Sequence, residues 1–220
     1  MISIEPSNLL FFISASLLLI IAPGPDIVFL VTQGVTHGPR AGLATAMGLA
    51  AGNLVHTTAA ALGVSVIVRA SQAAFHTLKI AGVSYLLYLA WKTLTESRRV
   101  ARDAAQETTA GLVGETMRAA DLFRRGLFMN ILNPKVALFF LAFLPQFASA
   151  HAGPIGQQMA LYGILFTFLV VVVFGAIGFL AGGLSARLRR AGSGTAARRF
   201  GWVVALVYLA LAVRLAMVRS

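Results

Sequence analysis

The chain of 220 residues is 58% hydrophobic and only 11% charged, and its mean hydropathy is +0.83. Soluble domains carry about 25% charged residues, so this composition excludes an ordinary soluble domain and indicates a membrane protein. The formal net charge is +11, but the cations lie in short segments between apolar runs, which is typical of topology signals and not of nucleic-acid binding. The chain has no cysteine, which excludes disulfides, thiolate metal sites and cysteine nucleophiles.

Six apolar runs follow one another along the chain, and each is long enough to cross a hydrocarbon core of about 30 Å. The first run lacks the basic segment and the cleavage site of a signal peptide, so it predicts a membrane span. The pattern predicts an all-α integral membrane protein with six transmembrane helices, at residues 8–33, 41–68, 75–94, 126–147, 157–184 and 200–218.

A hydrophilic segment at residues 95–125 divides the chain into two membrane halves, 1–94 and 126–220. The segment holds five of the seven acidic residues and is interpreted as a cytoplasmic linker. Three spans in each half predict opposite orientations, which is an inverted repeat. Thirteen basic residues fall on the linker's side of the membrane and four on the other, so both termini are predicted to be periplasmic.

The first span of each half carries an interruption. The first half contains Pro23-Gly24-Pro25-Asp26, and the second contains Asn133-Pro134-Lys135. Proline removes a backbone donor and glycine weakens a helix, so both sequences predict a broken helix. Interrupted helices at corresponding positions are the best sequence indication of a transporter's binding site.

The two breaks place opposite charges inside the membrane. Asp26 lies fourteen residues from Arg40, and Lys135 lies ten from Arg125. At about 1.5 Å per helical residue these depths differ by about 6 Å, so the side chains are predicted to meet. A charge in the bilayer core costs at least about 2.5–3.5 kcal/mol and needs a partner. Two interpretations stay open: an ion pair that only fixes helix packing, and a carboxylate whose protonation is coupled to a substrate.

The second run adds polar side chains at a similar depth. Asn53 and His56 lie one turn apart on the same helix face. For Asn53 the alternatives are a substrate contact and an interhelical hydrogen bond, and for His56 they are a packed histidine and a proton carrier. Glycines spaced G-x-x-x-G at 48–52 and 178–182 predict close helix packing.

These motifs together resemble the LysE/RhtB family of lysine and homoserine–threonine exporters. The matching pieces are Pro23-Gly24-Pro25-Asp26, GLAAGNLVH at 48–56, GVSYLLYLAW at 82–91, Asn133-Pro134-Lys135 and LPQF at 144–147. The resemblance implies efflux of amino acids or related metabolites across the bacterial inner membrane, driven by the proton gradient.

The resulting hypothesis is a proton-coupled exporter of a small zwitterion that works by alternating access around Asp26 and Lys135. Its expected partners are an amino-acid-like solute, protons, membrane lipid and a second copy in a homodimer, with no nucleic acid, cofactor or catalytic residue. The alternatives are an intramembrane enzyme acting on a lipid-linked substrate, a metal-ion exporter and a passive channel. The predicted substrate- and ion-binding residues are Pro23, Gly24, Pro25, Asp26, Asn53, His56, Asn133, Pro134 and Lys135.

Overall fold

The computed structural model describes residues 6–22, 24–64, 77, 80 and 117–190, and all regular elements in these ranges are helical. The all-α prediction is therefore confirmed for this part of the chain. The predicted spans at 75–94 and 200–218 lie outside the described residues, except for positions 77 and 80. The α-helices are α1 (Pro6–Ile21), α2 (Pro25–His37), α3 (Pro39–Ala59), α4 (Ala119–Ile131), α5 (Pro134–Leu138) and α6 (Ile155–Arg190).

Shorter helical segments of other types extend this framework. A π-helical turn at Ala60–Val64 follows α3 directly. After α5 the chain continues as a π-helical turn at Phe139–Phe143 and a 3-10 turn at Leu144–Phe147. A further 3-10 turn at Ala150–Ala152 leads into α6. The sequence pattern did not predict these changes of helix type.

Both helix breaks lie where the prolines predict them. α1 and α2 meet at a bend of 60°, and α2 begins at Pro25 with Gly24 as its N-cap. α4 meets the helical segment Pro134–Phe147 at a bend of 50°, and α5, the first part of that segment, begins at Pro134 with Asn133 as its N-cap. In each case the proline takes the first helical position, where a missing N–H costs nothing. Pro23 lies outside the described residues.

The helices differ in how clearly they qualify as membrane spans. In α6, residues Ile155–Ser185 are long and apolar enough to cross a membrane. The pair α1–α2, and the pair formed by α4 and the helical segment Pro134–Phe147, each qualify when the bent pieces are counted as one span. The described residues thus contain one such helix, or up to three with the bent pairs, and the six-span count stays a prediction.

The start of the second half differs from the predicted boundary. α4 begins at Ala119, not near residue 126, so the helix includes the end of the predicted linker. Asp121 in the first turn suits the positive end of the helix dipole, and Leu122 is buried. The charged residues around Leu122 led the sequence analysis to assign this turn to the linker, although the helix face that contains Leu122 is buried.

α3 and α4 pack side by side and run in the same direction. A methyl group built on Gly48 would lie 3.0 Å from the Cα atom of Phe123, and one built on Gly52 would lie 2.6 Å from the Cβ atom of Asn130. No side chain fits at either glycine without moving the neighbouring helix. The helix-packing role predicted for positions 48 and 52 is confirmed.

α6 packs on the other side of α3 and runs antiparallel to it. Gly42 near the start of α3 meets Gly178 late in α6, where a methyl group on Gly178 would lie 2.8 Å from the Gly42 carbonyl oxygen. Thr57 near the end of α3 lies against Gly163 early in α6. Backbones therefore touch almost directly between these helices, as the G-x-x-x-G spacing predicts.

α2 lies alongside α6 and runs parallel to it. A methyl group on Gly34 would lie 2.7 Å from the Gly178 carbonyl oxygen, and the Ser185 hydroxyl donates a hydrogen bond of 3.0 Å to the Val35 carbonyl. A methyl group on Gly182 would collide with the backbone of the turn before α3. Since α6 is antiparallel to α3, and α3 parallel to α4, the two helices α2 and α4 that adjoin the breaks run in opposite directions.

A buried aromatic cluster fills the end of the bundle that contains the first half of α1. Phe12 lies 4.7 Å from Tyr162 between ring centroids, and Phe139 lies 4.7 Å from Phe166. Phe140 joins this cluster to α3, because its ring stacks on His56 at 5.7 Å. The polar residues of α3 thus adjoin an apolar wall on this side.

Candidate functional site

The structure brings the two predicted charges together at the junction of the broken helices. Lys135 Nζ lies 2.8 Å from Asp26 Oδ2 and 3.0 Å from Oδ1, and the two residues are 6% and 2% exposed. Asp26 stands in the first turn of α2, where the helix dipole favours a carboxylate. A buried pair of opposite charges avoids the cost of an isolated charge in the membrane.

The Lys135 ammonium also contacts the end of α1. It donates to the carbonyl oxygens of Ala22 at 3.3 Å and Leu19 at 3.5 Å. In a continuous helix the Leu19 carbonyl would accept from the N–H of residue 23, but that residue is a proline. The break therefore creates carbonyl acceptors, and a cation from the other half of the chain occupies them.

Gly24 makes room for this ion pair. A methyl group built on it would lie 2.6 Å from Asp26 Oδ1 and 2.9 Å from Lys135 Nζ. Any larger residue would have to displace one of the two charges. A glycine between two prolines thus serves the site as well as the break. The sequence analysis placed Gly24 among the binding residues but did not show that its missing side chain makes room for the ion pair.

Asn133 holds the second break in place. Its Oδ1 accepts a hydrogen bond of 3.0 Å from the backbone N–H of Lys135, which caps α5. Its Nδ2 is buried and has no hydrogen-bond partner in the described structure. The oxygen of this amide therefore caps the helix, and its nitrogen makes no hydrogen bond among the described residues.

Asn53 is fully buried, at 0% exposure, and its side chain has no hydrogen-bond partner at either Oδ1 or Nδ2 among the described residues. Its backbone carbonyl accepts from the Thr57 hydroxyl at 2.7 Å, a bond within the same helix. A buried polar atom left unpaired costs about 1–3 kcal/mol. The structure therefore gives no interhelical hydrogen bond to explain Asn53, and the substrate contact remains a prediction.

His56 is a packed and tethered side chain in this structure. Its Nε2 donates to the Asn130 carbonyl oxygen at 3.2 Å, and its ring stacks on Phe140. These contacts match the packed-histidine interpretation. They also place His56 between the aromatic cluster and the break between α4 and α5.

Asn130 belongs to the same region and was missed by the sequence analysis. It is 2% exposed, its side chain lies against Gly52, and its Oδ1 has no partner among the described residues. Its carbonyl oxygen accepts from both His56 and the Asn133 N–H, the latter at 3.0 Å. The available signal was the spacing Asn130-x-x-Asn133, which puts two amides on the same side of the chain just before the break.

Within the described ranges, no group of three or more His, Cys, Asp or Glu side chains comes together in a way that could hold a metal ion.

A family model described as LysE type translocator matches residues 17–219. The chain belongs to the LysE family. It is 32% identical over 168 residues to the uncharacterized membrane protein YrhP of Bacillus subtilis, an alignment that covers 76% of this chain and 80% of that protein. It is 28% identical over 169 residues to a leucine efflux protein of Salmonella choleraesuis, covering 77% and 75% of the two chains.

A homoserine/homoserine lactone efflux protein of Salmonella typhimurium is 31% identical over 161 residues, which cover 73% of this chain and 72% of that protein. No solved structure matches this LysE family chain. The relatives with a named activity are efflux proteins and not enzymes. The family predicted from the motifs is thus confirmed, and the chain is a membrane protein with amino-acid efflux proteins among its homologues.

Proposed function

We propose that this protein exports a small zwitterionic amino acid or a related metabolite across the bacterial inner membrane, coupled to proton movement. The observation that carries the proposal is the buried Asp26–Lys135 pair, which joins the two helix breaks. Relatives named for leucine and homoserine efflux support the solute class. The topology proposed with it has six spans in two inverted halves and both termini in the periplasm. The opposite directions of α2 and α4 support the inverted relation of the two breaks.

The environment of Lys135 suits a primary ammonium group. Its Nζ has a carboxylate and two carbonyl oxygens as acceptors. The α-ammonium of an amino acid needs the same acceptors, so the solute and the lysine compete for Asp26. Binding of the solute frees Lys135, and this rearrangement couples the solute to the state of the pair.

Asp26 is the proposed proton site. In the structure, the Lys135 ammonium compensates the charge of this carboxylate. When neither the lysine nor the solute is paired with it, a proton can take their place, because an isolated charge inside the membrane is costly. Protonation and solute binding therefore exclude each other at Asp26, which is what an exchange of proton for solute requires.

Two proposals of another class are less well supported. An intramembrane enzyme would need a nucleophile and a base. The Asp26 carboxylate is paired with Lys135 and is not free to act as either. A metal-ion exporter would need several hard ligands, whereas the carboxylate here faces an ammonium group.

The experiment uses the purified protein in liposomes with an imposed pH gradient and a panel of labelled amino acids that includes L-leucine and L-homoserine. We expect uphill movement of at least one of them. Asp26→Asn and Lys135→Met should each abolish it, because removing one partner leaves a buried charge uncompensated at a typical cost of about 3–5 kcal/mol. The double variant restores charge balance and should recover folding.

The double variant decides between the two interpretations of the pair. If Asp26 carries the proton, Asp26→Asn with Lys135→Met folds but does not concentrate solute against a gradient, which is the expected result. Uphill transport near the wild-type rate by this variant would reduce the pair to a structural role. Asp121→Asn, at the start of α4 and outside the pair, is the matched control and should transport normally. Formation of a chemical product in place of movement would assign an enzyme.

A further inference from the structure

Three buried asparagines, Asn53, Asn130 and Asn133, lie within one helical turn along the chain of the two residues in the His56–Asn130 contact, and each has a side-chain atom without a hydrogen-bond partner among the described residues. Asn130 lies against Gly52, which precedes Asn53 in α3, and its carbonyl oxygen accepts from His56 one turn beyond Asn53. The same carbonyl accepts from Asn133, whose Oδ1 in turn caps Lys135. Contacts thus run from Gly52 and His56 of α3 through Asn130 and Asn133 to the ion pair. Asn53 lies between Gly52 and His56 in the α3 sequence, and the three residues Asn53, Asn130 and Asn133 are here called the amide cluster.

The unpaired atoms of the amide cluster are balanced between donors and acceptors. Among the residues that the structure describes, the Nδ2 groups of Asn53 and Asn133 have no acceptor, and the Oδ1 atoms of Asn53 and Asn130 have no donor. Interchanging the oxygen and nitrogen of the Asn53 amide does not change this count, because both atoms are unpaired. For Asn133, the hydrogen bond from the Lys135 N–H identifies which atom is the oxygen. Buried polar groups are almost always paired in folded proteins, so four such atoms in one region need a partner that the described part of the chain does not supply.

A second buried amide shows what the same group does when its role is structural. Gln158, at 2% exposure, accepts from the Ser149 N–H at 3.0 Å and donates to the carbonyls of Ser149 and Gly153, each at 2.8 Å. Both ends of this amide are used to hold the turn before α6. The amide cluster differs because its hydrogen-bonding capacity is left open.

We propose that the amide cluster recognises the charged head group of the transported solute, with Asn130 as a binding residue beside Asn53 and Asn133. This inference rests on the proposed export function and adds the chemistry of recognition. The free N–H groups suit the carboxylate, and the free oxygens suit N–H groups of the ammonium that Asp26 does not accept.

The charge of the surroundings selects a zwitterion. The Asp26–Lys135 pair is neutral as a unit, and the three amides carry no charge. A solute with a single net charge would bury that charge without compensation, whereas a zwitterion brings no net charge. The site therefore discriminates against an amine without a carboxylate and against an acid without an ammonium.

The test measures binding to full-length protein in nanodiscs by thermal stabilisation and by competition with a tritiated ligand. A panel of the standard L-amino acids with L-homoserine first identifies the best ligand. Competitors are then this amino acid, the corresponding amine without the carboxylate and the corresponding acid without the ammonium. Asn53→Ala, Asn130→Ala and the control Gln158→Ala are compared with the wild type.

The wild type should prefer the zwitterion over either analogue by more than about tenfold. In Asn53→Ala and Asn130→Ala the affinity should fall by about tenfold, and the preference should shrink towards unity because the groups that distinguish the analogues are gone. Gln158→Ala should lower thermal stability and keep both affinity and preference. Weaker binding with an intact preference in the asparagine variants would overturn the amide cluster as a recognition site. If no amino acid binds the wild type, the proposed function itself fails.

Discussion

The two helix breaks have the same sequence plan, but they are stabilised in different ways. In the first, the N-cap is Gly24 without a side-chain cap, and Asp26 occupies the second position of α2. In the second, Asn133 caps the helix with its side chain, and Lys135 occupies the equivalent position of α5. The helix dipole favours an anion at this position and disfavours a cation.

This difference explains the residue chosen at each cap. Asp26 gains from the start of its helix and needs no further cap, so position 24 is free to be a glycine that admits Lys135. Lys135 is unfavourable at the start of α5, and two features offset this: the Asn133 cap and the carbonyl oxygens at the end of α1. One charge is stabilised mainly by its own helix, and the other by the opposite half of the chain.

The largest effect is expected from exchanging the charges, as Asp26→Lys with Lys135→Asp. The exchanged side chains can still form an ion pair of opposite charges. The lysine would then lie at the start of α2, and the aspartate would face the carbonyls of Leu19 and Ala22. We expect a loss of at least about 2 kcal/mol in the free energy of unfolding and no transport. Thermal unfolding in detergent measures the first quantity. Wild-type stability in the exchanged variant would show that the two breaks are equivalent after all.

A smaller effect is expected from Gly24→Ala. The added methyl group would lie too close to both charges, so the pair must separate or the break must open, at a cost of about 1–3 kcal/mol. Gly63→Ala in the π-helical turn after α3 is the matched control, because a methyl group there meets nothing within 4 Å. Equal melting temperatures for the two variants would contradict a steric role for Gly24.

The smallest effect on stability is expected from Asn133→Ser, which separates the two ends of this amide. A serine hydroxyl still caps α5, so stability should change by less than about 0.5 kcal/mol, whereas Asn133→Ala should lose about 1 kcal/mol. Both variants lack Nδ2, and both should bind the amino acid less tightly. Normal binding by Asn133→Ser would limit Asn133 to capping and remove it from the amide cluster.

The sequence predicted the breaks and the ion pair because both follow from strong local rules. Proline cannot continue a helix, and a lone charge in an apolar run needs a partner, so Asp26 and Lys135 were identified together. The glycine spacing predicted close packing for a similar reason, since glycines one turn apart leave a groove on a helix.

The other features of the site depend on which faces of different helices meet, and sequence spacing alone does not decide that. Asn130 was missed because an asparagine near the start of a predicted span carries no charge, and its spacing to Asn133 is by itself a weak signal. Its role becomes visible only when Gly52 and His56 of α3 lie against it. The π-helical turn at Phe139–Phe143 was missed because its five residues are as apolar as those of an ordinary helix.

The glycine contacts among α2, α3 and α6 limit how the protein can move. At Gly34, Gly42 and Gly178 backbone touches backbone, and no side chain can change rotamer to let one helix slide past another. We therefore expect these three helices to tilt as one rigid body. We expect opening and closing to involve α1 and the segment Pro134–Phe147 that begins with α5, because these pieces on the far side of each break carry aromatic side chains that can repack. The prolines that interrupt the spans would in this way act as hinges between the rigid group of α2, α3 and α6 and the two pieces that move.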